Sequence, residues 1–434
     1  MRRYRFTART TLLAAALSAA GLAQATNGYF PHGYGIKAKG MGGAATATAS
    51  DSLGGATNPA KMVFAGARAD LGLEYFSPHR DAERSGALVA PTLNGKVASD
   101  KTGFLVPEFG YNTMLSRELS LGVSVYGNGG MNTTYPQGSF NCGGGPANML
   151  CGGGTLGVDL MQLVVAPTVA WKLSESNAIG ASLLLGYQRF KAAGIQAFDN
   201  APGFPPFTGG PGSVTNNGYD SASGSGLRLG WMGRMSDALT LGAAWSSKVG
   251  MGRFDKYKGL FAGAGDFDIP ANWSIGIAVK ASPAITVAVD AQRIDYSGVP
   301  AVANASLPVA PLGAANGPGF GWQDIDVFKI GVEWAMSPTL TLRAGYNKGG
   351  NPVRKEDVTF NILAPGVMTD HYTLGLTMAM GAGSELSAFA MVAPRRTVSG
   401  ASLFDGVFRM PGAGGTETIG MRQYSLGAAW GWKF

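Results

Sequence analysis

Ala67-Arg68-Ala69-Asp70-Leu71-Gly72-Leu73-Glu74-Tyr75 is the stretch that decides the fold. Read with period two, it puts Ala67, Ala69, Leu71, Leu73 and Tyr75 on one face, and Arg68, Asp70, Gly72 and Glu74 on the other. A soluble sheet hides such an apolar face in a core, whereas a barrel in lipid turns it outward and keeps the charges in a polar lumen. The alternation returns at 104–113, 118–128, 160–173, 178–189, 224–235, 238–249, 270–281, 284–295, 324–335, 339–348, 371–380, 385–393 and 421–434. Counting the first at 67–76, this makes fourteen segments, each about as long as a tilted transmembrane strand. The number is even, as closure of a single-chain bacterial barrel usually demands.

The connections alternate between short and long. Ser116-Arg117, Ser236-Asp237, Ser282-Pro283 and Ser337-Pro338 are tight turns, and 174–177 and 381–384 are nearly so. The stretches 78–101, 129–158, 191–222, 251–268, 296–321, 349–369 and 395–419 are long and rich in Gly, Pro, Asn and Ala. Short periplasmic turns and long outer loops are the expected asymmetry of an outer-membrane barrel. Trp171, Trp231, Trp245, Trp273 and Trp334 fall on outward positions of this register, where aromatic girdles belong. The last segment carries Tyr424, Leu426, Ala428, Trp430, Trp432 and Phe434 on one face and stops on the aromatic. That ending resembles the terminal signal by which barrel-assembly machinery recognises its clients.

Composition agrees with export to a membrane. Arg2, Arg3, Arg5 and Arg9 precede an apolar run from Leu12 to Ala23, and Ala23-Gln24-Ala25 supplies a cleavage site. Residues 1–25 are therefore expected to be a signal peptide, since the run is too short to span as an anchor. The four arginines account for over half of the +7 formal charge, and no Lys/Arg cluster follows, so the basic balance is no nucleic-acid footprint. Charged residues are 14% of the chain, against about 25% in soluble domains. Glycine fills 67 of 434 positions, roughly double its usual ~7% share. Cys142 and Cys151 are the two cysteines, and in an oxidising periplasm they are candidates for one loop-closing bridge.

Residues 26–66 break the strand pattern. They run from Thr26-Asn27-Gly28-Tyr29-Phe30 through Met41-Gly42-Gly43-Ala44 to Asn58-Pro59-Ala60. Their Tyr, Phe, Met and Val content is high for a disordered tail, and a compact plug in the lumen fits better. With this segment, the strand count, the aromatic end, Asp326-x-Phe328-x-Ile330-Gly331 and Thr341-Leu342-Arg343-x-Gly345-Tyr346 with Pro352 following, the chain resembles the FadL-type outer-membrane transporters. That family includes the TodX-like aromatic-hydrocarbon channels. The resemblance covers essentially the whole mature chain.

It implies an all-β, 14-stranded antiparallel transmembrane barrel over residues 67–434 with a hatch at 26–66. It further implies passive transport of long-chain fatty acids or hydrocarbons, an apolar pocket above the hatch, and a kinked third strand opening sideways to lipid. Gly127, Asn128, Gly129 and Gly130 are where such a kink falls, since glycine within a strand often marks a bend or bulge. The Gly-rich segment with both cysteines directly after it departs from the family pattern. Tyr187-x-Arg189-x-Lys191 resembles a stretch of the fatty-acid members and makes Arg189 and Lys191 candidate headgroup contacts. The register points Arg189 outward unless a bulge intervenes. The resemblance also implies a monomer in the bacterial outer membrane, among lipid and lipopolysaccharide.

Two other classes compete. A barrel lipase would need a nucleophile, a base and an orienting group within reach of one another. The chain has His32, His79 and His371, read as polar loop or lumen residues, and no Gly-x-Ser-x-Gly elbow. No spacing reads as a metal or cofactor site. A diffusion porin of 16–18 strands leaves an aqueous channel, which the fourteen strands and plug-like start do not suit. Phe198, Phe204, Phe207, Leu260, Phe261 and Phe267 in the long loops suit apolar capture; the alternative is that they pack on one another.

Overall fold

Alternating residues build a wall when every strand edge finds a partner, and here the last strand returns to the first. The computed structural model describes residues 26–138, 140–201, 206–307, 310–407 and 411–434. The expected signal peptide at 1–25 and Phe204 lie outside the described residues. The wall strands are β1 (Arg68–Ser85), β2 (Phe104–Met114), β3 (Leu119–Asn132), β4 (Gly157–Lys172) and β5 (Asn177–Ala193). They continue as β6 (Asp220–Arg234), β7 (Leu239–Ser246), β8 (Asn272–Ser282), β9 (Ile285–Ile294) and β10 (Ile325–Ala335). β11 (Leu340–Gly349), β12 (Asp370–Gly381), β13 (Ser384–Ala401) and β14 (Thr416–Lys433) complete them. Each pairs antiparallel with the next in sequence, and β14 closes on β1 from Arg68↔Lys433 to Ser85↔Thr416. The result is a closed 14-stranded all-β barrel.

The register matches the sequence pattern. Leu71, Leu73 and Tyr75 are exposed on the outer face, while Asp70 and Glu74 are buried within. Trp171, Trp245, Trp273 and Trp334 stand exposed on the outside, at the girdle positions.

Several strands run past the segments that alternation delimits. β1 continues to Ser85 and β13 to Ala401, and β14 begins at Thr416. Above the lipid level the outward residues of β1 become His79, Asp81 and Glu83, and the inward ones Arg80, Ala82 and Arg84. With both faces polar, the period-two signal vanishes although the ladder persists. His79 is accordingly a strand residue on the outer wall, and not a loop residue.

The long connections fold into a cap over one end of the barrel. Its loop aromatics pack mainly on one another. Phe198 lies 5.1 Å from Phe207 and Phe261 4.9 Å from Phe267, ring centre to ring centre, and Phe261 lies 4.7 Å from Phe190 of β5. The bland alternative for these residues is thus the main one, and an apolar slot of about 40 Å³ remains among them.

Candidate functional site

Residues 26–66 lie inside the barrel and almost all are buried. The segment starts under the cap, where Tyr296 Oη donates to Asn27 O (2.6 Å) and accepts from Tyr29 N (3.1 Å). It then descends the lumen, held by charges that the wall strands point inward. Lys39 Nζ pairs with Glu74 of β1 (2.6 Å) and Glu108 of β2 (3.2 Å). Lys37 pairs with Glu385 of β13, which also binds Arg68. Burial opposes the Lys39 charge, but Glu108 and Glu74 outweigh it and hold the ammonium above its ordinary pKa. Asp290 of β9 accepts from Ala45 N (2.8 Å), Thr46 N (2.9 Å) and Thr46 Oγ1 (2.8 Å). On the other side, Asp70 accepts from Ser52 N at 2.9 Å.

Asn58, Pro59 and Ala60 form a capped turn against β5 and β6. Asn58 Oδ1 accepts from Ala60 N (3.1 Å), and its Nδ2 donates to Thr46 O (2.9 Å) and to Trp231 O of β6 (2.8 Å). Pro59 sits at the first position of the short helix Pro59–Lys61, where its missing N–H costs nothing. The backbone approaches the wall so closely that wall side chains are excluded. A Cβ on Gly180 would lie 2.5 Å from Pro59 C, and one on Gly230, its cross-strand partner, 2.1 Å from Asn58 Oδ1. The contact recurs around the lumen at Gly242 and Gly276 beside Thr46, at Gly331 and Gly345 beside Met41 and Gly42, and at Gly375 beside Gly40. Inward glycine at one height on successive strands is the signal by which this cradle could have been read from sequence. Lys37 and Lys39 carry no such signal.

Among the described residues the wall is incomplete between β2 and β3. β2 and β3 pair only from Met114↔Ser120 to Phe109↔Val125. Beyond that, Phe104–Glu108 keep β1 as partner and Tyr126–Asn132 keep β4, but among the described residues no ladder joins the two edges. Pro107, with no N–H to give, falls on this edge, as strand prolines do. The β3–β4 register slips between Gly127 and Gly129, leaving Asn128 as the extra residue of a bulge. Asn128 takes a hydrogen bond from Tyr34 Oη and gives one to Gln162 Oε1, both 3.1 Å. At Gly129 a Cβ would meet Tyr29 O at 2.2 Å. The bent end of β3 thus rests on the N-terminal segment, with Tyr126–Asn132 buried on both faces.

Asp100 N→Thr134 O (2.8 Å) and Thr134 N→Ser99 Oγ (3.0 Å) bridge the top of the gap. The Gly-rich connection follows, closed by a disulfide between Cys142 and Cys151, Cα–Cα 5.7 Å.

Arg189 and Lys191 do not reach the interior. No bulge intervenes, and both lie on the outer face of β5 over the ring of Tyr219, at 4.5 and 4.7 Å. As headgroup contacts for an interior ligand they are misplaced, because strict alternation from the inward Gln188 and Phe190 turns them out. His32 and His371 stack inside, 5.9 Å apart, and His32 Nε2 lies 3.4 Å from Lys39 O. Burial, then the charges of Lys39 and Lys329, pull the His32 pKa down to about 3. At the short-turn end a polar vestibule of about 770 Å³ separates Met41 and Ala47–Ser50 from β6–β10.

A closed 14-stranded barrel occupied by its own N-terminal segment is the architecture of an outer-membrane transport protein. The chain belongs to the outer membrane protein transport protein family (OMPP1/FadL/TodX), whose features match residues 11–388. It is an outer-membrane transport protein. No curated protein sequence matches it. Among solved structures, the P. putida toluene transporter TodX is 19% identical, with a TM-score of 0.69 over 93% of this chain and 99% of that one. The Ralstonia pickettii toluene transporter TbuX is 17% identical (TM-score 0.63; 93% and 99% covered). A Pseudomonas aeruginosa FadL homologue is 14% identical (TM-score 0.69; 94% and 99% covered). At such identities the likeness establishes the fold.

Proposed function

We propose that this chain passes small hydrophobic molecules across the outer membrane by diffusion, with residues 26–66 as a hatch and the β2–β3 gap as a side exit. The unpaired edges at Phe104–Glu108 and Tyr126–Asn132, set against the segment that blocks the axial route, carry the reading. An apolar molecule gains nothing from entering a polar vestibule, since each CH₂ exposed to water costs about 0.8 kcal/mol. The substrate class is supported by the two toluene transporters and the FadL homologue that share the fold. Asn58-Pro59-Ala60 would hold the hatch, and Gly127–Gly130 would let β3 bend.

The chain acts as a transporter rather than an enzyme. Ser77 Oγ lies 3.3 Å from His79 Nε2 but gives its proton to Thr102 O at 2.8 Å, so the hydroxyl is not poised for attack. Outward Lys348, Arg395, Arg396 and Arg422 lie one step above Tyr346, Tyr372 and Tyr424, a level suited to lipopolysaccharide phosphates. The Arg189–Lys191 pair suits the same partner. Barrel-assembly machinery would engage the strand ending at Phe434, and one barrel, closed on itself, works as a monomer.

Deleting Asn128 tests the exit, because it removes the extra residue of the bulge and favours a straight β3. Cells carrying the variant should take up labelled fatty acid and alkylbenzene no faster than cells without the protein, while still excluding a hydrophilic antibiotic. Unchanged uptake would reject the side exit. Failure of the unaltered protein to carry either hydrophobe would reject the substrate class.

A further inference from the structure

Among the described residues, Arg80 is a buried cation without an anion. It points inward from β1 and is 4% exposed. Its guanidinium donates to Lys101 O and lies 5.8 Å from the Phe104 ring centre, while Nε has no partner. Neighbours show the ordinary arrangement. Arg84, the next arginine on the same inward face, is paired with Glu417, and Arg228 is held by three oxygens. Asp81 points to the opposite face, where Arg395 and Lys96 take it. A guanidinium removed from water and left unpaired is a standing cost to the fold, and an unsatisfied buried donor calls for an explanation.

The surroundings supply one. Arg80 lines a crevice with Tyr29, Met131, Asn132, Trp322 and Gly366. Its volume is about 10 Å³, the space of about one water, so a ligand group enters only as the 364–366 segment gives way. Met131 and Asn132 belong to the unpaired edge of β3, so the crevice borders the gap. Ala364 on its wall continues from Leu363, which lines the apolar slot with Leu150, Val158 and Phe198. The slot and the crevice thus lie on adjacent residues of one segment, with the Arg80 cation on the side of the gap.

We infer that Arg80 is a specificity-determining residue, a binding site for the carboxylate of an amphiphile whose apolar body lies along the slot. The inference rests on the hydrophobe-transport reading and adds to it a preference for anionic over neutral cargo. Arginine suits the task because its planar fork matches a carboxylate.

The test is equilibrium binding of a saturated fatty acid and of its methyl ester to the full-length protein in nanodiscs, for wild type, Arg80→Gln and Arg80→Lys. Wild type should prefer the acid by about tenfold or more. Arg80→Gln should bind both alike, with ester affinity unchanged and thermal midpoint level or raised, since an uncompensated charge is gone. Arg80→Lys keeps the charge but not the fork, and should keep only part of the preference; it decides the matter if the Gln variant does not assemble. A wild type without preference, or a Gln variant that keeps it, would overturn the assignment. So would a Gln variant that merely loses stability, as expected of an arginine that only supports Lys101. Binding of the ester alone leaves hydrophobe transport standing and removes the Arg80 site, whereas binding of neither removes both.

Discussion

Gly230→Ala puts one methyl group between the wall and the N-terminal segment. The backbone at Gly230 is ordinary, so the strand itself accepts alanine. The added Cβ, however, would lie 2.1 Å from Asn58 Oδ1 and 2.7 Å from Pro59 Cδ, where ordinary contact is about 3.5 Å. The Asn58-Pro59 turn must therefore withdraw by about 1 Å. That is enough to break the Asn58 bond to Trp231 O (2.8 Å), which joins the turn to the wall, whereas its bonds to Thr46 O and Ala60 N lie within the N-terminal segment. At about 1 kcal/mol net for that bond, docking weakens roughly fivefold in the undocked fraction. Swelling of proteoliposomes in a small sugar reads that fraction directly and should accelerate. Gly250→Ala, with nothing within 4 Å of its Cβ, should swell like wild type. Asn58→Ala should leak too, and the double variant should leak less than the two effects combined, since both act on one contact. A Gly230→Ala protein as tight as wild type would mean that the Asn58 turn does not hold the hatch.

Four further outcomes are expected. Lys39→Met leaves Glu74 and Glu108 facing each other without their shared cation; breaking a buried pair costs about 3–5 kcal/mol, and sensitivity to a bulky hydrophilic antibiotic should rise sharply. Docking should also weaken in acid, because docked His32 titrates at about 3 and a released one near 6.5. The released form gains the proton first as pH falls, so about 2 kcal/mol is lost by pH ~5, and His32→Gln should flatten that rise in sugar leak. Thiol labelling of outer-membrane material should find Cys142 and Cys151 unreactive until reduced; two free thiols would contradict the bridge. Arg189→Ala with Lys191→Ala should leave hydrophobe uptake unchanged, and a loss would return these residues to the transport path.

The wall was legible because lipid imposes a strict rule: every second residue of a spanning strand must be apolar, and Leu71-x-Leu73-x-Tyr75 repeats that rule in fourteen places. Where lipid ends the rule ends, which is why β1 beyond Phe76 and β13 beyond Ala393 were invisible although their ladders continue. Position in the strand also placed Arg189 correctly on the outside, against the family likeness of its motif. Long-range pairing was not legible. Nothing local tells that Lys39 meets Glu74 and Glu108, or that Arg80 meets no carboxylate among the described residues, because each depends on where a non-periodic segment lies inside a closed wall.

The glycines occupy the middle ground. Gly180, Gly230, Gly242, Gly276, Gly331, Gly345 and Gly375 are inward residues of spanning strands, positions where small side chains are unnecessary for closing a barrel. A porin lumen would tolerate polar side chains at every one of them. Their absence is explained if a backbone has to pass within van der Waals distance of the wall at that height, and Met41, Gly42, Thr46, Asn58 and Pro59 pass there. These seven glycines therefore record close approach rather than flexibility. They identify a segment fitted to the wall on many sides at once, through contacts with inward residues and not with the ladders that pair the strands.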